Sequence, residues 1–273
     1  NSQGFIPVNI LLRDGDDVYV EAVQQGLLYE GQTVRLFREK GRMHMEQAEE
    51  LMARLAAIRE RMTRACEGKY PLPKVLAVTK THTPKEILPL RDAGIREIGE
   101  NRVQEIREKL PFLKDFFQIH LIGQLQSNKV KYIIEDVCLI HSLDRLSLAM
   151  EIDRQAQKHG RVMPVLVQVS PVGEPQKGGM PPEEVLPFLR QVRQLPGLHV
   201  EGLMAVMPNL EDRERLSGLF ADMRCLFERV RDEGIDGVEM RELSMGMSGD
   251  YDLAAAHGAT LVRIGSALLG PRG

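Results

Sequence analysis

Val75-Leu76-Ala77-Val78-Thr79-Lys80-Thr81-His82 is the stretch from which the rest of this chain can be read. Four apolar residues in a row, with no polar alternation, predict a strand covered on both faces, as in a parallel sheet. Lys80 then stands at the carboxyl end of that strand. In α/β folds this edge faces the crevice of an open sheet or the mouth of a barrel. A lysine there is commonly a solvated cation. Held in partly apolar surroundings, it is instead an amine of lowered pKa, able to form a Schiff base with an aldehyde.

Downstream, a strand–helix rhythm continues to the end. Strands are predicted over 95–98, 117–122, 137–141, 163–169, 198–205, 242–244 and 260–264. Helices are predicted over 84–93, 101–113, 127–134, 143–159, 211–232 and 249–257, and another ends near Leu195-Pro196-Gly197. A Gly/Pro-rich loop, Ser170 to Pro182, precedes that one. A doubly wound open sheet would also alternate. Eight strands, and no Gly-rich dinucleotide turn after the first, favour a (β/α)8 TIM barrel over residues 43–273.

Upstream, Met45, Ala48, Leu51, Met52, Leu55, Ile58 and Met62 recur at three- and four-residue steps, predicting a helix from His44 to Cys66. Residues 1–42 read as a short β-rich N-terminal extension. Strand-like runs Ile6–Leu12 and Val18–Val23 flank the turn signal Asp14-Gly15-Asp16-Asp17. A second turn, Glu30-Gly31-Gln32, precedes the β-like Thr33–Phe37.

Bulk properties exclude several functions. The 273 residues are 43% hydrophobic and 27% charged, with net charge -3. That balance gives no general pull toward nucleic acid or anionic membrane. No apolar run approaches a membrane span. The three cysteines, Cys66, Cys138 and Cys225, are scattered, which predicts neither a disulfide framework nor a zinc site and fits a reducing, cytoplasmic setting.

In a barrel, the loops after strands seven and eight commonly bind phosphate. Here they read Ser244-Met245-Gly246-Met247-Ser248-Gly249-Asp250 and Arg263-Ile264-Gly265-Ser266-Ala267. Each offers small residues, backbone N–H groups near a helix start and a hydroxyl. Two turns with Ser248 and Ser266 as ordinary caps would read the same way. Closure makes strands one and eight neighbours, so Lys80 and these loops meet at one mouth. An imine-forming lysine beside a phosphate site makes a pair of handles for pyridoxal 5'-phosphate.

From about Met45 onward the chain resembles the pyridoxal phosphate homeostasis family, the YggS/PROSC type, built on the alanine racemase N-terminal barrel. The resemblance rests on Ala77–Lys80, Gly99–Glu105, His120–Lys129, Gly202–Ala205, Leu243–Ser248 and Val262–Gly265, in family order. It implies that Lys80 holds the cofactor, that Ser248, Gly265 and Ser266 cradle its phosphate, and that Arg263 faces the pyridine nitrogen. It implies that Asn101 lines the pocket, with His120 and Asn128 at pocket or loop positions. The sequence departs from the family at Ile119, where an aromatic is frequent, and at Gly249, where an acidic residue is common.

The implied function is to carry or buffer the cofactor inside the cell through a reversible lysine aldimine. Expected partners are the cofactor, amino acids and apo-enzymes that receive it, with the protein a monomer. The alternative is a slow racemase or lyase. Arginine opposite the ring nitrogen disfavours carbanion chemistry, because it cannot give up its proton. Racemisation also needs a second acid/base, which a tyrosine from an added β domain supplies in alanine racemases. The chain ends soon after the eighth strand, so no such domain is expected, and Tyr251, beside a cofactor loop, is expected on a helix surface.

Overall fold

A computed structural model describes residues 8–14, 17–22, 35–173 and 178–270. Packing divides the chain into two compact units, Asn1–His44 and Met45–Gly273. In the first unit, β1 (Val8–Asp14) and β2 (Asp17–Ala22) form an antiparallel pair, Val8 opposite Ala22, with an irregularity between Ile10 and Leu12. The centre of the expected turn and the Glu30–Val34 stretch lie outside the described residues.

Helix α1 (Arg35–Cys66) starts well before His44, so Arg35–Phe37 are helical and the β-like reading of them is corrected. Charged residues of good helix propensity follow Phe37 and carry the helix back through this segment. Ala48, Leu51, Leu55, Ile58, Met62 and Cys66 form its buried stripe. Met52 does not belong to it. It is 45% exposed, because a residue next to Leu51 points about a quarter-turn away.

The second unit is a closed, all-parallel, eight-stranded barrel. Its strands are β3 (Lys74–Val78), β4 (Glu97–Glu100), β5 (Gln118–Leu121), β6 (Leu139–Leu143), β7 (Met163–Val169), β8 (Leu198–Ala205), β9 (Val238–Met247) and β10 (Leu261–Ile264). β10 pairs with β3, Ile264 beside Ala77, and this pairing closes the ring.

Helices α2 (Pro84–Ile87) and α3 (Pro89–Asp92) replace the single helix expected over 84–93. Pro89 has no N–H to continue the ladder and its ring crowds the preceding turn. After α4 (Val103–Leu113), the Ser127–Tyr132 segment is a 3-10 helix. α5 (Leu146–Lys158), α6 (Val185–Val192), α7 (Arg213–Asp232), α8 (Tyr251–Ala256) and α9 (Ser266–Leu269) complete the sequence.

Side chains alternate across each strand. One set, including Ala77, Ile98, Ile140, Val167, Leu203, Met245 and Ile264, joins the large core shared with the helices. The opposite set fills the barrel interior. Leu139, Leu166 and Met204 make a separate apolar cluster there. His120, His141, Ser244 and Arg263 are the buried polar members on that face. At β8–β9 the register shifts next to Gly202, whose φ is +154°. A Cβ there would lie 1.8 Å from the Glu242 carbonyl oxygen, so only glycine permits this approach.

Candidate functional site

Lys80 follows β3 by two residues, at the carboxyl edge, and is half-buried. The β10–β3 register continues from Ile264–Ala77 to place Gly265 beside Val78. A Cβ built on Gly265 would meet Val78 at 3.5 Å. On the other flank, Val78 pairs with Gly99, which brings Asn101 alongside Lys80. The mouth of strands β10, β3 and β4 therefore gathers Gly265, Ser266, Lys80 and Asn101. Ser266 is exposed and Asn101 half-buried.

The loop after β9 joins them through Ser248. The N–H groups of Gly265 and Ala267 donate to Ser248 Oγ at 3.2 and 3.3 Å. Both amides thus point at one hydroxyl oxygen; a phosphate oxygen in its place would accept from both, with the hydroxyl turned to donate as well. Asp250 stabilises this loop by accepting the Met247 N–H at 2.6 Å. Burial raises the Asp250 carboxyl pKa, while the Met247 amide and the Arg263 charge oppose that rise. An acidic residue thus stands at Asp250, one position after Gly249.

Arg263 points into the barrel interior and is 4% exposed. It donates to the Ser244 carbonyl at 2.8 Å, to Ser244 Oγ at 2.7 Å and to the Ala205 carbonyl at 2.7 Å. A guanidinium carries five N–H donors, so some are left for an acceptor above. Burial pushes its pKa down to about 10, against the pull of Asp250. It stays protonated at neutral pH.

A polar chain continues from Arg263 across the interior. His141 Nδ1 lies 3.1 Å from Ser244 Oγ, and His141 Nε2 lies 3.0 Å from His120 Nδ1. Ser244 accepts from an arginine that can only donate, so its own proton is left for His141 Nδ1. This puts the His141 proton on Nε2, which donates to His120 Nδ1 as acceptor. Burial pushes His120 down to about 4 and His141 well below the usual imidazole range. Both rings are neutral. His120 is therefore a barrel-interior residue and not a mouth loop residue. Asn128 is exposed on the 3-10 segment.

Tyr251 corrects an expectation. It is 6% exposed, with the Arg61 guanidinium 5.4 Å above its ring. The first turn of α8 faces α1, and tertiary packing covers what the local pattern left on the surface. Sequence reasoning missed His141 and Ser244, because nothing links them until the strands close. It also missed a buried polar cluster behind Lys80, formed by Glu100, Glu105 and Lys109. Glu105 and Lys109, four apart on α4, were the available sign.

The family profile described as alanine racemase, N-terminal domain, matches residues 53–273. The pyridoxal phosphate homeostasis protein of Aquifex aeolicus is 42% identical over 223 residues, covering 80% of this chain and 97% of that protein. This chain belongs to the pyridoxal phosphate homeostasis family, of YggS/PROSC type. PipY of Synechococcus elongatus, solved with pyridoxal phosphate bound, is 34% identical, with a TM-score of 0.71, covering 81% of this chain and all (100%) of that one. Alanine racemase of Bartonella henselae is 14% identical with a TM-score of 0.61 over 82% of this chain and 61% of its own, a likeness of fold alone. Among the described residues, no helix is long and apolar enough to cross a membrane and no group of His, Cys, Asp or Glu could hold a metal ion.

Proposed function

We propose that this chain binds pyridoxal 5'-phosphate through a reversible imine to Lys80, and holds it for delivery and not for turnover. The observation that carries this reading is the β10–β3 closure: it continues the register to Gly265 beside Val78, two residues before Lys80, and the amides of Gly265 and Ala267 point at the Ser248 hydroxyl. The donor set fits the group. The two amides and the hydroxyl would hold the phosphate, Arg263 would donate to the ring nitrogen, and Asn101 and Ser266 would line the mouth.

When bound, the cofactor supplies an aldehyde that exchanges between amines. Arg263 keeps its proton at neutral pH even at about 10, so the ring nitrogen remains an acceptor and the ring a weak electron sink. The interior bases next to Arg263, His141 and His120, are neutral and bonded to each other and to Ser244. These features support storage over racemase or lyase chemistry. Incoming amines, either free amino acids or the active-site lysine of a recipient apo-enzyme, would take the aldehyde from Lys80.

The test is the visible spectrum of the purified protein with added cofactor, before and after borohydride, with the modified lysine located by peptide mass. Modification at Lys80, abolished in Lys80→Ala, is expected. A Lys80→Ala protein that keeps the absorbance band and the borohydride-fixed label would overturn the assignment. Steady turnover of an amino-acid panel at ordinary enzymatic rates would favour the slow-enzyme alternative instead.

A further inference from the structure

The residues on either side of Lys80 are held from behind, on the helix-facing side of the barrel. Lys109 of α4 reaches in and donates to the Thr79 carbonyl at 2.9 Å, to Glu100 Oε1 at 2.9 Å and to Glu105 Oε2 at 3.2 Å. Those three bonds use all the N–H donors of an ammonium. Thr79 Oγ1 donates to the same Glu100 oxygen at 2.6 Å. Thr81 N–H donates to Glu105 Oε2 at 2.8 Å. One carboxylate–ammonium–carboxylate cluster therefore grips the carbonyl before Lys80 and the amide after it.

Two further facts give the grip a purpose. Thr81 has φ +69°, a left-handed backbone that a β-branched residue adopts only when its surroundings enforce it. The bond from its amide to Glu105 is such an enforcement. The inner half of the cluster is also dry, with the side chains of Lys109 and Glu100 only 9% and 1% exposed, while Glu105 at 18% stands at its edge. Buried ion pairs are weak stabilisers, because desolvation consumes most of their attraction. Apolar residues on α4 would fill this space with less penalty, but they could not hold a carbonyl and an amide at fixed points.

We propose that Glu100, Glu105 and Lys109 form a clamp that positions Lys80, setting where its amine meets the cofactor aldehyde. They are positioning residues and touch neither aldehyde nor phosphate. The inference rests on Lys80 being the cofactor lysine. With the clamp cut, Thr81 relaxes toward negative φ, the chain leaving Lys80 changes direction, and the amine swings off the line set by the phosphate cradle.

The experiment compares two ligands on the full chain. Pyridoxal 5'-phosphate engages the cradle and Lys80. Pyridoxine 5'-phosphate has no aldehyde and engages the cradle and the ring-facing residues without Lys80. Glu105→Leu, which removes the acceptor for Thr81 N–H, is expected to speed pyridoxal phosphate loss to a trapping amine about tenfold, leaving pyridoxine phosphate affinity unchanged. Glu105→Gln keeps an acceptor oxygen and should lie near the parent. Thr81→Gly, placed in the Glu105→Leu background, should recover part of the loss, because glycine needs no help at positive φ. Lys109→Met serves as a second cut if it folds.

Equal weakening of both ligands would mean a general disturbance of the barrel and would overturn the clamp. So would a Glu105→Leu protein that releases pyridoxal phosphate at the parent's rate. If borohydride labels a lysine other than Lys80 in the parent itself, the fault lies with the cofactor assignment. A Lys80 label with release unchanged in Glu105→Leu faults only the clamp.

Discussion

Lowering the pH from 7 to 5 should weaken the fold through the two histidines inside the barrel. His120 is held down to about 4 and His141 well below its ordinary value, both chiefly by burial. An imidazole whose folded pKa is depressed stabilises the fold above its unfolded pKa, about 6.5, and loses that contribution as pH falls toward the folded value. Over this window the unfolded chain takes up protons that the folded chain refuses. Linkage puts the loss at about 2 kcal/mol for His120, and His141, also held down by burial, acts in the same sense.

Even the His120 share, near 2 kcal/mol, is sizeable against a stability of about 5–15 kcal/mol. Glu100 and Asp250, whose pKa values burial raises, work in the opposite sense, so a variant isolates the histidine contribution. His120→Phe keeps a planar ring in the same layer. Urea unfolding of parent and variant, at both pH values and fixed ionic strength, gives the four stabilities needed. Whatever its stability at pH 7, the variant should lose about 2 kcal/mol less than the parent on going to pH 5. Equal losses in the two proteins would refute the account of a neutral buried pair.

Ser248→Ala removes the hydroxyl shared by the Gly265 and Ala267 amides. If that hydroxyl binds a phosphate dianion, affinity for pyridoxal phosphate should fall about 10- to 100-fold in an absorbance titration, and an unchanged affinity would count against the cradle. Gly202→Ala drives a Cβ into the Glu242 carbonyl and should cost about 3 kcal/mol or more, with thermal unfolding lowered by roughly 6–12 °C; an unchanged midpoint would contradict the close β8–β9 approach. In the native protein at pH 8, a thiol-disulfide reagent should label Cys225 fast, because it is exposed, while Cys66 is buried and burial pushes the Cys138 thiol up to about 12. A second fast equivalent, located by peptide mass, would mean that one of those two opens to solvent.

The barrel was legible because its signal is repeated. Each apolar run followed by a helical one adds to a count of eight, and an error at one boundary leaves the count intact. The second barrel strand was read at 95–98 and lies at Glu97–Glu100, because Ile95 is a core residue of the turn, its amide bonded to the Leu90 carbonyl. Lys80, Ser248, Gly265 and Arg263 stood out in the sequence because strand ends and Gly-rich loops leave local marks. Closure of the ring continues the β10–β3 register to Gly265 beside Val78, two residues before Lys80.

The interior relay and the clamp were not legible for the opposite reason. His120, His141, Ser244 and Arg263 come from β5, β6, β9 and β10 and share nothing but the inward side of the pleat. The start of α1 was misjudged because a few residues with β-like composition are overruled by the long helix that follows.

Closure of the ring by β10 against β3 also orders events during synthesis. Among the barrel strands, the one leading to Lys80 emerges from the ribosome first and the one carrying Arg263, followed by Gly265, emerges last. Until that last strand docks, the nascent chain has the amine without the arginine or the two amides assigned to the proposed anion cradle. Contacts between such distant segments form late in folding. Competence to retain a reactive aldehyde would then arrive as one event, coincident with completion of the barrel, so unfinished chains would neither hold nor squander it.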